Sequence, residues 1–213
     1  MRLNIDLTQG KTPINVFFTS DFHLFHNNAL KFDKRPFIDV HQMHNEIENR
    51  WNSVVTDNDI VIFLGDLSFA KSGERDYVNS IIYKLNGKIH FVLGNHDKRD
   101  EILKMDRFET VNDYLELTLK HMEINEKTNI IIKKVESLFC CMHYPIHSWN
   151  KKHYGSFMAH GHTHMSLSEL DFHQKNRIID VCCTGNYYTP ISYIEIINKL
   201  ARIPLDNLNR DNN

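Results

Sequence analysis

The stretch IVIFLGDL, residues 60–67, joins an apolar run to a glycine and a carboxylate. Its β-branched and aromatic residues predict a strand buried on both faces, and its polar end predicts a loop. Four further apolar runs end in similar residues: VFFTSDFH (16–23), HFVLGNHD (90–97), LFCCMHYP (138–145) and FMAHGHTH (157–164). Because ligands of open α/β sheets bind beyond the carboxyl ends of the strands, we expect these five ends to meet.

Helical patterns separate the strands of the first half. Apolar residues recur at helical spacing between the strands, with Asp39 placed to cap the first helix and Gly87 to close the second. This alternation of strands and helices predicts parallel βαβ units. We place strands at residues 14–20, 59–65 and 89–93, and helices at 39–55, 72–88 and 98–105.

The second half of the chain has a different pattern. Residues 113–145 contain several apolar runs without a long helix between them, which predicts antiparallel or mixed strands. Two short strands and a closing helix follow at residues 157–162, 177–183 and 192–203. We therefore expect a single α/β domain over residues 1–204, with two layers of strand, and a polar, mobile tail over residues 205–213.

Composition excludes several classes of protein. The chain has 213 residues and a net charge of -2, so no overall positive field indicates a nucleic-acid binder. No run approaches the length of a membrane span, and the N-terminus lacks the apolar core of a signal peptide. The four cysteines form two adjacent pairs in apolar runs, which predicts buried free thiols in a reducing compartment. We expect a soluble, cytoplasmic protein.

The polar ends of the five runs carry metal-ligand side chains. Asp21 and His23 are two residues apart, so an extended chain directs both side chains to one face, and His162 and His164 repeat this spacing. The full set is Asp21, His23, Asp66, Asn95, His143, His162 and His164. Carboxylates and imidazoles suit Mn²⁺, Fe and Zn²⁺. Seven ligands exceed the needs of one ion, whereas two ions sharing a carboxylate are a recurrent device of phosphoryl chemistry.

In order and spacing, these motifs resemble those of the calcineurin-like metallophosphoesterase superfamily. The match consists of D-x-H (21–23), G-D (65–66), G-N-H-D (94–97), H (143) and G-H-T-H (161–164). The stretches SDFHLFHNNAL, HYPIHSWNKKHYGSFMAHGHTH and VCCTGNYYTPISYIEI resemble its small phage and bacterial enzymes. The resemblance implies a four-layer βαβ sandwich, in which two mixed sheets are flanked by helices.

The resemblance also implies a role for each residue. One ion would be held by Asp21, His23, Asp66 and His164, and a second by Asp66, Asn95, His143 and His162. His96 would be the general acid at the leaving group, and Asp97 would orient it. A hydroxide shared by the two metals would attack phosphorus directly, so no residue becomes phosphorylated. Mn²⁺ is the favoured metal, with Fe, Zn²⁺ and Ni²⁺ as alternatives.

Other polar residues near these motifs have less defined roles. His26 either contacts the substrate phosphate or supports a ligand, and the sequence leaves both readings open. For His160 we expect a structural role. The remaining candidates are expected to be solvated, His41 and His44 on a helix and Lys151 and Lys152 in a loop.

We therefore predict a metal-dependent hydrolase of phosphodiester bonds, with phosphomonoesters as further substrates. The expected partner is a small phosphorylated molecule, a nucleotide or cyclic nucleotide, because the short chain lacks a domain that could grip duplex DNA. Three alternatives remain: a nuclease for short single-stranded nucleic acid, a protein phosphatase, and a non-catalytic metal-binding scaffold. The complete ligand set and the presence of His96 argue against the scaffold.

Overall fold

The structure is a computed structural model that describes residues 1–9, 14–125, 130–166 and 170–205. Its strands are β1 (Arg2–Asp6), β2 (Val16–Thr19), β3 (Ile60–Phe63), β4 (Lys88–Val92), β5 (Phe108–Asn112), β6 (Tyr114–Asn125), β7 (Ile130–Met142), β8 (Phe157–His160), β9 (Ile178–Asp180) and β10 (Ile191–Ser192). Its α-helices are α1 (Asn27–Phe32), α2 (Val40–Val54), α3 (Arg75–Ile82), α4 (Arg99–Leu103), α5 (Asp171–Lys175) and α6 (Tyr193–Leu200). Residues 206–213, most of the predicted tail, lie outside the described residues.

The first sheet contains five strands in the order β10-β2-β3-β4-β5. Strands β2 to β5 are parallel, and β10 pairs antiparallel with β2. The centre of the sheet is formed by β2, β3 and β4, the strands predicted at residues 14–20, 59–65 and 89–93. The parallel βαβ arrangement predicted for the first half of the chain is therefore confirmed.

The second sheet has the order β1-β6-β7-β8-β9. The long strands β6 and β7 form an antiparallel hairpin, whereas β1 runs parallel to β6 and the strands β7, β8 and β9 are mutually parallel. Both sheets are therefore mixed, as the resemblance implies. Because β7 and β8 are parallel neighbours, the loops that follow them leave the sheet at the same edge.

The two sheets pack face to face between layers of helix. Phe18 of β2 and Phe139 of β7 meet between the sheets, with ring centroids 5.1 Å apart in a cluster that draws on both. The outer face of the first sheet is covered by α2 and α3, with Trp51 fully buried. The outer face of the second packs against Trp149 and, from α5, Phe172. This order confirms the predicted sandwich of two sheets flanked by helices.

Helix α2 begins where the sequence predicts. The carboxylate of Asp39 accepts a hydrogen bond of 2.8 Å from the backbone N–H of Gln42, which satisfies one of the free donors of the first turn. Helix α3 is shorter than predicted, because it ends at Ile82. Gly87 has a φ of +87° and closely approaches the carbonyl of Asp59, so it shapes the turn into β4 and not the helix end.

The structure corrects the prediction that His44 is solvated. Its side chain is buried on the face of α2 that also carries Val40 and Met43, whereas His41 is exposed. The Nε2 atom of His44 accepts a hydrogen bond of 3.0 Å from the backbone N–H of Phe25. Burial lowers the pKa of His44 to about 4, so this imidazole is a neutral acceptor near pH 7.

Lys152 is also buried, although Lys151 is exposed as predicted. Its ammonium group donates to the carbonyl of His147 at 3.2 Å. It also lies 5.2 Å from the ring centroid of Trp149 and 5.0 Å from that of Phe172. These aromatic faces and the carbonyl replace the water that a buried ammonium loses.

Two predictions from composition can be compared with the structure. The four cysteines are buried and free, as predicted. Within the described ranges, no helix has both the length and the apolar character needed to cross a membrane.

Candidate metal centre

The loops that follow β2, β3, β4, β7 and β8 bring the predicted ligands together. Donor atoms lie within 4.8 Å of one another in three overlapping sets: Asp21, His23 and Asp66; Asp66, His143 and His162; and Asp21, His164 and Cys182. The remaining ligand, Asn95, has its Oδ1 atom 2.9 Å from the Nε2 of His143. All seven predicted ligands are therefore at one site.

Asp66 lies at the centre of this cluster. One of its carboxylate oxygens is 3.8 Å from the Nε2 of His23 and 3.5 Å from the Nε2 of His143. Its other oxygen accepts the backbone N–H of His96 at 2.9 Å. The buried carboxylate thus faces both of the ligand groups expected from the resemblance.

The first ligand group is compact. The two Nε2 atoms of His23 and His164 are 3.0 Å apart, and that of His164 is 3.5 Å from the Oδ1 of Asp21. Two donor atoms that bind one ion at about 2.1 Å lie about 3.0–3.4 Å apart at octahedral or tetrahedral angles. The distances from His164 are close to this range, whereas the 3.9 Å between the Nε2 of His23 and the Oδ1 of Asp21 is wider than one bound ion would set.

In the second group, a backbone contact orients the imidazole of His143. Its Nδ1 lies 2.7 Å from the carbonyl of Leu64, to which it donates, so its Nε2 carries the free lone pair. That nitrogen faces Asn95 and Asp66. The ring of His162 is 5.1 Å from that of His143, which brings a further imidazole to the same side.

The charge of the site favours cations. Burial raises the pKa of Asp21, but a hydrogen bond with His164 and the charge of His143 more than offset this, so the net pKa lies below its ordinary value. Asp66 behaves in the same way, with burial outweighed by its bond to His143. Two buried, ionised carboxylates among imidazoles and an amide fit a pair of divalent ions.

His23 and His164 have opposite pKa shifts. Burial lowers the pKa of His23 to about 3. Burial also acts on His164, but its hydrogen bonds with Asp21 and Asp33 raise its pKa to about 10. The short contact between the two rings is thus a donation from a charged His164 to a neutral His23.

Asp33 and Arg35 contact the site, although none of the predicted motifs includes them. The Nδ1 of His164 donates to Asp33 at 2.8 Å, and Arg35 pairs with the same carboxylate at 2.9 Å. The buried guanidinium also donates to the carbonyls of Asp21 and Phe22, at 3.0 and 2.7 Å. These contacts orient the His164 ring and hold the loop that carries Asp21. Their only sequence signal is the proximity of a D-x-R triplet to the first motif.

The described contacts of Asp97 are with backbone groups. Its carboxylate accepts backbone N–H groups from Asp66, Leu67 and Gly94 at 2.7, 3.0 and 2.8 Å. Among the described hydrogen bonds of Asp97, none goes to the imidazole of His96. Asp97 therefore joins the loop after β3 to the loop that carries His96, and orients the residue through the backbone.

His96 and His26 both pack against one aromatic ring. The phenyl group of Phe69 stacks on His26 with centroids 4.0 Å apart, and the ring of His96 is 4.4 Å from it. Both histidines line the same cleft as His23 and Asp66. The side chain of His96 is 43% exposed, whereas the Nδ1 of His26 is buried without a partner.

The backbone of the site is strained. Asp21, His23, Asp66, His162 and His164 have positive φ angles, between 46° and 69°. This left-handed region is uncommon for residues other than glycine, and it persists only where surrounding contacts impose it. Such outliers cluster at functional sites, so the backbone points to the same residues as the ligand chemistry.

Two motif glycines permit close approach of the loops. A Cβ at Gly94 would collide with the carboxylate of Asp66, and one at Gly161 would collide with Asp21 and Ser20. The glycines of G-N-H-D and G-H-T-H are therefore explained by packing against the two ligand carboxylates.

A buried carboxylate supports the last ligand loop. Asp180 accepts hydrogen bonds from the hydroxyl of Thr163 at 2.5 Å and the backbone N–H of Met165 at 2.8 Å. Nearby, buried His160 donates from Nδ1 to the carbonyl of Gly161 at 2.7 Å. These contacts are consistent with the structural role expected for His160.

Comparisons with known proteins agree with this geometry. The family model for calcineurin-like phosphoesterases matches residues 14–185. An uncharacterised protein of Methanocaldococcus jannaschii is 31% identical over 187 residues, 87% of this chain and 90% of that protein. The gene 66 protein of Mycobacterium phage D29 is 26% identical and covers 72% of this chain and 80% of its own length.

A solved structure shows the same fold. The crystal structure of a protein of unknown function from Aquifex aeolicus superposes with a TM-score of 0.63 at 20% sequence identity, covering 87% of this chain and 98% of that chain. Since the family match extends over every loop that carries a ligand, the chain belongs to the calcineurin-like phosphoesterases, a family of metal-dependent enzymes.

Proposed function

We propose that the chain is a phosphodiesterase that binds two divalent ions, with Mn²⁺ favoured, and hydrolyses nucleotides or cyclic nucleotides. The observation that carries this proposal is the position of Asp66, whose carboxylate lies 3.8 Å from His23 and 3.5 Å from His143. A carboxylate between two ligand groups is the arrangement that paired ions require. The proposed ligands are Asp21, His23, Asp66 and His164 for one ion, and Asp66, Asn95, His143 and His162 for the other.

When bound, the two ions would neutralise charge on the phosphoryl oxygens and activate a water molecule as the nucleophile. We assign His96 as the acid that protonates the leaving oxygen. Its imidazole is exposed to the cleft, and its backbone N–H is anchored to Asp66 at 2.9 Å. Asp97 fixes the same loop through backbone bonds, so the acid is held close to the ligands.

His26 is proposed to contact a phosphate oxygen. It lines the cleft, and its ring centroid lies 5.7 Å from that of His23. It is absent from the described groups of clustered donors, which favours substrate contact over ligation.

The cleft supports a small substrate. Its volume is about 550 Å³, which suits a nucleotide better than a folded protein or a duplex. Among the residues that line it, Lys34 is the one lysine or arginine. A diester has one negative charge fewer than a fully ionised monoester, and so needs fewer cations around it. These features favour a diester over a phosphoprotein or a long polyanion.

Activity measurements distinguish this proposal from the alternatives. The substrates are bis(4-nitrophenyl) phosphate, 4-nitrophenyl phosphate, cyclic nucleotides, a short single-stranded DNA and a phosphopeptide, each assayed with Mn²⁺ and with a chelator. We expect the highest kcat/KM for the diester and cyclic nucleotides, and loss of turnover with the chelator.

Other outcomes would replace the proposal. A preference for the oligonucleotide would make the chain a nuclease, and a preference for the phosphopeptide would make it a protein phosphatase. Metal binding without turnover of any substrate would indicate a scaffold. An Asp171→Asn variant is a suitable control, because this exposed carboxylate pairs with Lys175 and lies outside the described ligand sets.

A further inference from the structure

Phe32 is an exposed aromatic residue on the wall of the metal cleft. Its side chain, the last of α1, is 76% exposed, yet it lines the same cleft as His23, Asp66 and His164. Among the exposed large hydrophobic residues of the described ranges, Phe32 is the one that lines this cleft. Core packing does not explain a phenyl ring in this position, because most of its surface contacts water.

The position of Phe32 is fixed relative to the ligands. The next residue, Asp33, accepts the Nδ1–H of His164 at 2.8 Å and pairs with buried Arg35 at 2.9 Å. On the other side of Phe32, Ala29 anchors α1 in the interior. One peptide bond therefore separates the exposed ring from a residue that contacts a metal ligand.

The surroundings of the ring suit a nucleotide. Lys34 lies two residues away, is exposed and lines the same cleft, so it adds a positive charge to the cleft that Phe32 lines. Stacking of a base on an exposed aromatic side chain is worth about 1–3 kcal/mol by alanine substitution, which is about a 5- to 150-fold change in affinity. The cleft volume of about 550 Å³ accommodates a phosphate at the ligands together with a sugar and a base.

We propose that Phe32 stacks on the nucleobase of the substrate while the phosphate binds at the metal centre. This inference rests on the proposed phosphoesterase function, and it makes Phe32 a residue that determines specificity. It predicts that the chain prefers nucleotides to phosphoesters of the same charge that lack a planar ring.

A binding experiment tests the role of the base directly. Adenosine 5′-monophosphate and ribose 5-phosphate share the sugar and phosphate and differ in the base. Their dissociation constants are measured by calorimetry with Mn²⁺-loaded protein, and chromatography after each titration verifies that the ligand is intact. We expect the wild-type protein to bind the nucleotide about 5- to 150-fold more tightly.

Three variants assign this preference to the ring. Phe32→Ala should bring the two dissociation constants together by weakening the nucleotide alone, and Phe32→Tyr should retain most of the preference. Tyr154→Ala is the matched control, since Tyr154 is also 76% exposed but is absent from the lining of the metal cleft. It should behave like the wild-type protein.

An unchanged preference in Phe32→Ala, or no preference in the wild-type protein, would overturn the inference. Equal loss of affinity for both ligands would also overturn it, because Phe32 would then shape the phosphate site. Hydrolysis is assayed separately. A nucleotide preference that depends on Phe32 without turnover would refute the proposed function alone, whereas turnover without this preference would refute the role of Phe32 alone.

Discussion

The two sheets contribute different chemistry to one site. The loops of the first sheet supply the carboxylates, the amide, one imidazole and the proposed acid, whereas the predicted ligands from the second sheet are all imidazoles. Negative charge is therefore concentrated on one side, and imidazoles complete the site from the other. Loss of Asp21 or Asp66 from the first sheet therefore removes attraction for the ions, whereas loss of an imidazole from the second removes a single contact.

The two sides are nevertheless linked. His164, which follows β8 of the second sheet, is oriented by Asp33, which follows α1 of the first half of the chain. The carboxylate of Asp21 in turn accepts the backbone N–H of His162 at 3.1 Å. Residues of the first half of the chain therefore fix the ligand loop after β8 through hydrogen bonds.

The largest effect should follow from Asp66→Asn. The amide keeps an oxygen for the N–H of His96 but removes the charge between both ligand groups. We expect loss of both ions and, with them, of measurable turnover, because the carboxylate between the two ligand groups no longer attracts cations. In contrast, His143→Ala should retain one ion. Elemental analysis of reconstituted proteins measures both, and equal metal content in the two variants would contradict the comparison between the sheets.

His96→Ala should separate catalysis from metal binding. Because His96 is proposed as an acid and not as a ligand, the variant should keep both ions. It should lose about 10²–10⁴-fold in kcat on a nucleoside diester with a poor leaving group, and far less on a nitrophenyl ester. Loss of an ion would instead make His96 a ligand, and equal losses on both substrates would indicate that it binds phosphate.

His44 should make the helix layer of the first sheet sensitive to acid. Its pKa is about 4 when folded and 6.5 in the reference state, so its contribution is complete above pH 6.5. As pH falls from 6.5 towards 4, the unfolded chain takes up the proton first, and the free energy of unfolding should drop by up to about 3 kcal/mol.

Denaturant titrations with chelator present can isolate this effect. His44→Gln should be less stable near pH 7 but should lose less stability between pH 7 and 4.5. His153→Gln, a change at an exposed histidine on the second-sheet side, should follow the wild-type protein. Parallel pH profiles for all three proteins would show that His44 does not titrate as proposed.

The smallest effect should come from Asp33→Asn. The amide can still accept the Nδ1–H of His164, but it lacks the charge that pairs with Arg35. Partners that orient a ligand typically contribute about 10–100-fold to metal affinity or activity, and we expect a loss in this range. Metal titration should show weaker affinity for one ion and unchanged affinity for the other. Weakening of both to the same extent would mean that Asp33 supports the whole cluster.

Sequence reasoning recovered the centre of the fold because buried strands carry strong patterns. The strands β2, β3 and β4 are apolar on both faces, and the carboxyl-end rule then places their polar ends at one edge. The edge strands β1, β5 and β10 were missed, since they are half exposed or only two residues long. In β1 the alternation of Leu3 and Ile5 was a readable signal.

The candidate site was less predictable beyond its ligands. Asp33 and Arg35 follow a short helix and not a strand, so no general rule directs attention to them. Lys152 is buried by Phe172, a contact across many residues that one sequence cannot reveal. The burial of His44, in contrast, could be predicted. Its spacing from Val40 and Met43 places it on the buried face of the helix, and only its polarity indicated solvent.

Grafting this site onto another α/β scaffold would require the backbone of its loops as well as its side chains. Aspartate, asparagine and histidine adopt the left-handed region more readily than most residues, so ligand chemistry and backbone tolerance select the same residue types. A designer who replaced Asp66, with its φ of 58°, by glutamate would change both the reach of the donor and the ease of the turn. In this molecule the backbone conformation of five short loops is therefore as necessary to the site as the ligand side chains.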